Sequence, residues 1–329
     1  MKKIWTTVML SAACWCVAVG QQDPMFTKYM FNSLIFNPGY AGSRDHMSVA
    51  LLHRTQWYEI NGAPQTQSFT LHTPLRNERV AIGMSLVNDK IGPTNTLGGN
   101  LIYAYRIPIG AAKLSFGLQA GIEQYRADWS KLNIESPDEA FDGQENRILP
   151  NFGAGIYYYS KYFYIGASSP QLVEYDLRDS ATTGIYARQA RHYYFMSGVV
   201  IPLQGDFILF KPSILIKNVG LFASKATLQQ FRDIGAPTEF DIDLSVLFYE
   251  TLWVGASFRS AIEAFTDKSS SFDSADIWIS YVMENGLRVG AAYDYPLTKL
   301  SNVTSGAFEV MIGYEFNFKT KKAATPRYF

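Results

Sequence analysis

Histidine is the usual metal ligand and proton-transfer group near neutral pH. It occurs four times in the chain, as His46, His53, His72 and His192. No two of these stand at zinc-site spacing, and no His-Glu-x-x-His run is present. There is no Gly-x-Ser-x-Gly elbow. The run FGAGIY from Phe152 has two glycines two apart, but it opens a strand-like stretch, so it sets no phosphate on a helix N-terminus. No nucleophile is paired with a base by spacing. The expectation is a non-enzymatic protein with no cofactor and no metal. What remains is charge: Lys211, Lys217, Asp241, Asp243, Arg259, Arg288, Asp294, Glu309 and Glu315 each interrupt an alternating apolar stretch. Such residues can line a selectivity filter or a socket for a partner peptide. They can also neutralise one another across neighbouring strands, and the mixed signs favour that second role.

The elements holding these charges read as strands of period two. In EFDIDLSVLF, Phe240, Ile242, Leu244, Val246 and Phe248 stand opposite Asp241, Asp243 and Ser245. In LRVGAAYDY, Leu287, Val289, Ala291, Tyr293 and Tyr295 stand opposite Arg288, Gly290 and Asp294. FEVMIGYEFNF sets Phe308, Val310, Ile312 and Tyr314 against Glu309, Gly313 and Glu315, and LSFGLQAGIE sets Leu114, Phe116, Leu118 and Ile122 against Ser115, Gly117, Gln119, Gly121 and Glu123. An apolar face rich in rings and a polar face rich in glycine differ from a soluble sandwich and fit a transmembrane barrel.

Composition agrees. Aromatic residues make up 15% of the chain, with 21 Tyr and 22 Phe. Lys plus Arg balances Asp plus Glu at 29 each, which gives no support for nucleic-acid binding. The start reads as a secretory signal over 1–20: Lys2 and Lys3, an apolar Ile4 to Val19, then small Ala18 and Gly20 before a cut at Gln21. Both cysteines, Cys14 and Cys16, fall inside it, so the exported chain is expected to carry no disulfide and no thiol nucleophile.

The fold class expected is all-β: an outer-membrane β-barrel of about 14 antiparallel strands over 46–318, with short periplasmic turns and long external loops. The spans are 46–57, 65–73, 79–88, 96–107, 112–126, 149–159, 162–169, 191–201, 207–218, 238–249, 251–260, 274–283, 286–296 and 306–318. Tight turns alternate with longer connections at 58–64, 89–95, 127–148, 170–190, 219–237, 261–273 and 297–305. The 127–148 connection holds Asp128, Glu135, Asp138, Glu139, Asp142 and Glu145, an acidic set that would suit an inward-folding loop in a general porin or small-molecule uptake channel. Trp57, Tyr58 and Trp129 near strand ends suit an interfacial girdle. The tail 319–329 is basic and too short to fold. The segment 21–45 spaces Phe26, Tyr29, Met30 and Leu34 as on a helix, and Pro38-Gly39 ends the run. It is expected to pack as a short helix and turn at the periplasmic mouth or inside the lumen, because about 14 strands enclose more space than their own side chains fill.

These residues also carry a resemblance. Asp23-Pro24, Phe26, Tyr29-Met30-Phe31-Asn32, Leu34, Asn37-Pro38 and Tyr40-Ala41-Gly42-Ser43 resemble the N-terminal signature of the PorP/SprF family. HRTQW (Arg54, Gln56, Trp57), NGAPQT (Gly62, Pro64, Thr66), the stretch from Phe152 to Leu172, LWVGASFR and YDYPL continue it over essentially the whole exported chain. The resemblance implies a component of the type IX secretion and gliding machinery, located in the outer membrane. The implied partners are outer-membrane lipid, a secreted adhesin or sorting-domain protein, and periplasmic secretion-motor components. Where the family commonly shows Gly-Ser-His-Glu, this chain has Gly306-Ala307-Phe308-Glu309, so no role of that histidine carries over.

Overall fold

A computed structural model describes residues 28–131, 143–176, 188–219, 221, 238–265 and 272–316. The signal 1–20, Asp23, Pro24, Phe26, the acids Glu135, Asp138, Glu139 and Asp142, and the tail 319–329 lie outside the described residues.

The wall strands are β1 Met47–Thr55, β2 Gln65–Pro74, β3 Val80–Ile91, β4 Thr94–Ile109, β5 Ala112–Asp128, β6 Gln144–Tyr159 and β7 Phe163–Ser169. The second half holds β8 His192–Val199, β9 Ile208–Val219, β10 Glu239–Phe248, β11 Leu252–Ala261, β12 Ser274–Val282, β13 Leu287–Pro296 and β14 Ala307–Phe316. Past Val200, β8 continues as Ile201–Gln204, and both pieces pair with β9. Each strand pairs antiparallel with its sequence neighbour, and β1 pairs with β14 from Met47↔Phe316 to Thr55↔Phe308, closing a 14-stranded barrel. Closure leaves the sheet without a free edge strand, which a sheet in hydrocarbon requires. A two-stranded ribbon, Tyr175–Asp176 with Arg188–Gln189, rises from the β7–β8 connection.

Two connections differ from the sequence expectation. The stretch 89–95 is not a long loop: β3 and β4 stay paired up to Ile91↔Thr94, leaving only Gly92 and Pro93 as the turn. Likewise β5 and β6 pair out to Asp128↔Gln144, so Asp128 and Glu145 stand in the wall and not in an inward-folding loop. The reason is common to both. Above the bilayer a strand meets water on both faces and loses its apolar alternation while keeping its ladder. Side chains help: Asn88 donates to Gln67 at 2.8 Å and Asn95 donates to Asn88 at 3.0 Å. The wall is therefore tall over β3–β6.

Alternation sorts the residues as the sequence predicted. Leu101, Leu118, Ile148 and Ile277 point outward and are among the most exposed side chains, at 72%, 61%, 67% and 64%. Their inward neighbours are buried, including Ser115, Gln119, Asp241, Asp243, Asp276, Asp294 and Glu309. We expect Leu118→Arg, at the middle of β5, to destabilise the barrel in lipid by about 2–4 kcal/mol. The measurement is reversible unfolding from lipid vesicles; an effect below about 0.5 kcal/mol would remove Leu118 from the lipid-facing belt.

Candidate functional site

Residues 28–46 run through the lumen. The expected short helix divides into two turns, a 3-10 turn Tyr29–Phe31 and an α-turn Ser33–Phe36, and the expected turn at Pro38-Gly39 is a 3-10 turn Pro38–Tyr40. Asn32 (φ −145°, ψ 52°) and Asn37 (φ −138°, ψ 110°) are non-helical and divide them. Asn37 precedes Pro38, whose ring disfavours the helical region there. Helical spacing misled because a segment enclosed by a barrel has no wet face: Tyr29, Met30, Phe31, Leu34, Phe36 and Tyr40 are all buried.

The seat of this segment is a row of small residues crossing five strands. Ala81 of β3 pairs with Ala104 of β4, Ala104 with Gly117 of β5, Gly117 with Gly155 of β6, and Gly155 with Ser168 of β7. All five point inward and form a trough for backbone. The plug follows the row in order. The Phe36 carbonyl accepts from Ser168 Oγ at 2.7 Å. Asn37 lies over Gly155, where a Cβ would stand 2.2 Å from Asn37 Oδ1. Pro38-Gly39 lies over Gly117, where a Cβ would stand 2.1 Å from the Gly39 nitrogen. Gly42 (φ +75°) reaches Ala81, whose Cβ would be 2.5 Å from a Cβ on Gly42.

Asn37 fixes the register. Its Oδ1 accepts from Gly39 N–H at 2.8 Å, and its Nδ2 donates to the Ile156 carbonyl at 3.0 Å. Both groups are buried, so neither has water as a substitute. We expect Asn37→Ala to cost about 2–3 kcal/mol, read by thermal unfolding in detergent, with Asn37→Asp no better because it cannot donate to Ile156.

Rings lock the plug from the sides. Phe31 meets Trp278 edge-on at 5.3 Å, Phe36 meets Tyr194 at 5.2 Å, and Tyr40 lies between His72 at 5.4 Å and Tyr157 at 5.5 Å. His72 Nδ1 accepts the Gly42 N–H at 3.1 Å.

Charges hold both ends. Lys28 Nζ bonds Asp276 and Ser257 and lies 3.5 Å from Asp243, and its backbone N–H donates to Glu309 at 3.1 Å. Asp243, Ser257, Asp276 and Asp294 form one cross-strand line over β10–β13. Asp276 and Glu309 are each two residues in from strand starts that follow long connections, so Lys28 sits toward the external rim. At the other end Asp45 receives Arg106 at 2.8 Å and Lys113 at 2.9 Å, beside the Gly110–Ala111 turn. Arg44 and His46 both reach Glu315, at 3.0 and 2.9 Å. Arg44 Nε also donates to the Tyr40 hydroxyl at 3.0 Å. The segment thus crosses the lumen from rim to rim.

The lumen charges singled out in the sequence all face inward. Arg259 pairs with Asp241 at 2.7 Å, Lys217 with Glu239 at 3.5 Å, and Arg54 with Asp294 at 3.3 Å. Lys211 lies over the rings of Trp253 and Tyr164, at 5.4 and 5.9 Å, and Arg288 over Phe31 at 5.5 Å. Tyr29, Phe31, Asn32, Asn37, Pro38, Tyr40 and Gly42 come together in the plug, with Asn32 donating to Ser68 at 2.9 Å. Gln56, Trp57, Gly62 and Pro64 do not: they form the β1–β2 loop at the external rim, where Gln56 N–H donates to Pro64 and Gly92 N–H donates to Gly62. Sequence reasoning missed Lys28, Asp45, His72, Arg106 and Asp276. Arg106 was legible, since it alternates with outward Tyr105 and Ile107. Among the described residues no cluster of His, Cys, Asp or Glu is arranged to hold a metal.

A closed antiparallel sheet with an apolar outer belt and a charged, occupied lumen defines an outer-membrane β-barrel. The fold is similar to that of the CymD monoaromatic hydrocarbon channel: TM-score 0.52, 12% identity, over 89% of this chain and 94% of that one. It is also similar to the Acinetobacter baumannii outer membrane protein Omp33, with TM-score 0.45 and 10% identity over 83% of this chain and all of that one. No curated protein matches the sequence significantly. The chain belongs to the PorP/SprF family of type IX secretion system membrane proteins, which it matches over residues 18–314.

Proposed function

We propose that this barrel is a non-enzymatic docking component of the type IX machinery. It anchors a secreted surface protein, or links the outer membrane to periplasmic ring components, and does not serve as a diffusion pore. The observation carrying this reading is the plug. Residues 28–46 occupy the lumen from rim to rim, seated on the small-residue row and held by buried ion pairs at both ends. A pathway for solutes needs that volume empty, whereas a platform needs it rigid.

The test is recovery of the tagged barrel from mild detergent, with mass spectrometry of its companions, beside conductance in a planar bilayer. We expect secretion components or a secreted surface protein to be recovered, and the bilayer to stay silent. A barrel that comes alone and conducts steadily would replace docking with a channel.

A further inference from the structure

The plug also roofs a cavity at the periplasmic end of the barrel. The space measures about 440 Å³, counted with its open mouth, and lies between the plug and β1, β2, β13 and β14. Arg288 is the second residue of β13, which follows a tight turn, and Glu315 is the second-last of β14. The mouth is therefore on the side of short turns, the periplasmic one. One register line crosses its wall: Thr70 of β2 pairs with Ala50 of β1, Ala50 with Gly313 of β14, and Gly313 with Arg288 of β13. The two middle residues are small, and their missing bulk leaves the space open.

Arg288 ends that line as a cation with no ion pair among the described residues. Its Nε donates to Ser280 Oγ at 3.0 Å and its guanidinium lies over the Phe31 ring, which leaves both terminal nitrogens without a protein acceptor there. Glu315 is the one carboxylate lining the cavity, and its two oxygens are taken by Arg44 and His46. With Arg44 spent on Glu315, the charge of Arg288 is left over. At the other end of the line Thr70 is only 4% exposed, yet its hydroxyl makes no hydrogen bond among the described residues, and neither does that of Ser48 on β1.

We infer that this cavity receives a carboxylate side chain, glutamate or aspartate, from a periplasmic polypeptide. Arg288 holds the carboxylate on its two terminal nitrogens, a planar fork that matches it bidentately. Leu34 and Met311 pack on the methylenes, and the Thr70 and Ser48 hydroxyls face the incoming group from the far wall. Phe31, Leu34 and Tyr40 of the plug close the space above, so the ligand is presented from below and does not pass through. This rests on the periplasmic arm of the docking reading and names the chemistry that a partner brings to it.

The experiment titrates the full-length barrel in detergent with Nα-acetyl-glutamate α-methylamide, with the glutamine analogue, glutarate and inorganic phosphate as comparisons, followed by ligand-observed NMR. We expect saturable binding of the glutamate amide and none of the glutamine analogue. Arg288→Gln should weaken it about tenfold, the loss of a charge-assisted hydrogen bond. Arg288→Lys keeps the charge without the fork and should fall between. Gly313→Val is the second variant. A Cβ at 313 would stand 3.4 Å or more from its neighbours, so the wall and Arg288 stay while the space is lost, and binding should disappear. Folding of each variant is checked by its β circular dichroism. Equal binding of the glutamine analogue, or binding unchanged in folded Arg288→Gln or Gly313→Val, overturns the inference. Tighter binding of glutarate or phosphate overturns the polypeptide source. A barrel that recovers secretion components yet ignores the glutamate amide sinks this inference and leaves docking standing.

Discussion

Gly117→Val unseats the plug while leaving the barrel closed. The expected signature is a bilayer that is silent with the native chain and shows discrete conductance steps with the variant. A Cβ at 117 would stand 2.1 Å from the Gly39 nitrogen and 2.2 Å from the Pro38 carbonyl carbon, both backbone atoms. No rotamer relieves a clash with backbone, so the Asn37–Gly39 turn must rise off the wall. Asn37 then loses Ile156, and Phe36 loses Ser168. Overpacking of this kind costs about 1–3 kcal/mol before those hydrogen bonds are counted. The ladder Ala104↔Gly117↔Gly155 makes no demand on the side chain, so strand pairing survives. Leu118→Val, one residue along on the outward face, is the control and should stay silent. If Gly117→Val is also silent and its N-terminal segment is as protease-resistant as in the native chain, the trough is not what seats the plug.

Lys28→Met tests the other end. Removing the ammonium leaves Asp243 and Asp276 facing each other across β10–β12 in a site from which water is excluded, with both carboxylates fully buried. Breaking a buried pair in this way costs about 3–5 kcal/mol, because the surviving charges keep their desolvation penalty. The prediction is a loss of that size in detergent unfolding, with most of it restored in Lys28→Met combined with Asp276→Asn. Rescue matters more than the loss, since any core substitution can destabilise. A triple change adding Asp243→Asn should recover further. A single variant within about 0.5 kcal/mol of the native protein would show that Lys28 is not the counter-ion of this line.

The sequence showed the wall more fully than what fills it. Alternation assigned Asp241, Asp243, Asp294 and Glu309 to the lumen because period two is a property of one strand and is visible in ten residues. The glycine-rich inward face at Gly117 and the Asn37-Pro38-Gly39 turn were both conspicuous, yet their partnership was not. It depends on register across five strands, which no local pattern encodes. The same holds for Lys28. A single lysine among aromatic residues signals a buried cation, but its partners lie more than 200 positions away. Strand ends at 89–95 and around Asp128 were misjudged for another reason: outside hydrocarbon the backbone ladder persists after the hydrophobic signal has gone.

The middle of the plug and its Lys28 end differ in when they can form. Asn37, Gly39 and Gly42 meet the first half of the barrel, with Asn37 bonding Ile156, 119 residues on. The Lys28 backbone meets Glu309, 281 residues away, and its ammonium meets Ser257, 229 residues away. The first set needs only the strands up to β7, so it is compatible with a sheet that is still an open ribbon. The ammonium contacts exist only once β10–β12 are in place, and the Glu309 contact only once β14 is. Lys28 therefore reports late assembly: its ammonium waits for β10–β12 and its backbone N–H for β14, and loop-closure entropy makes both late.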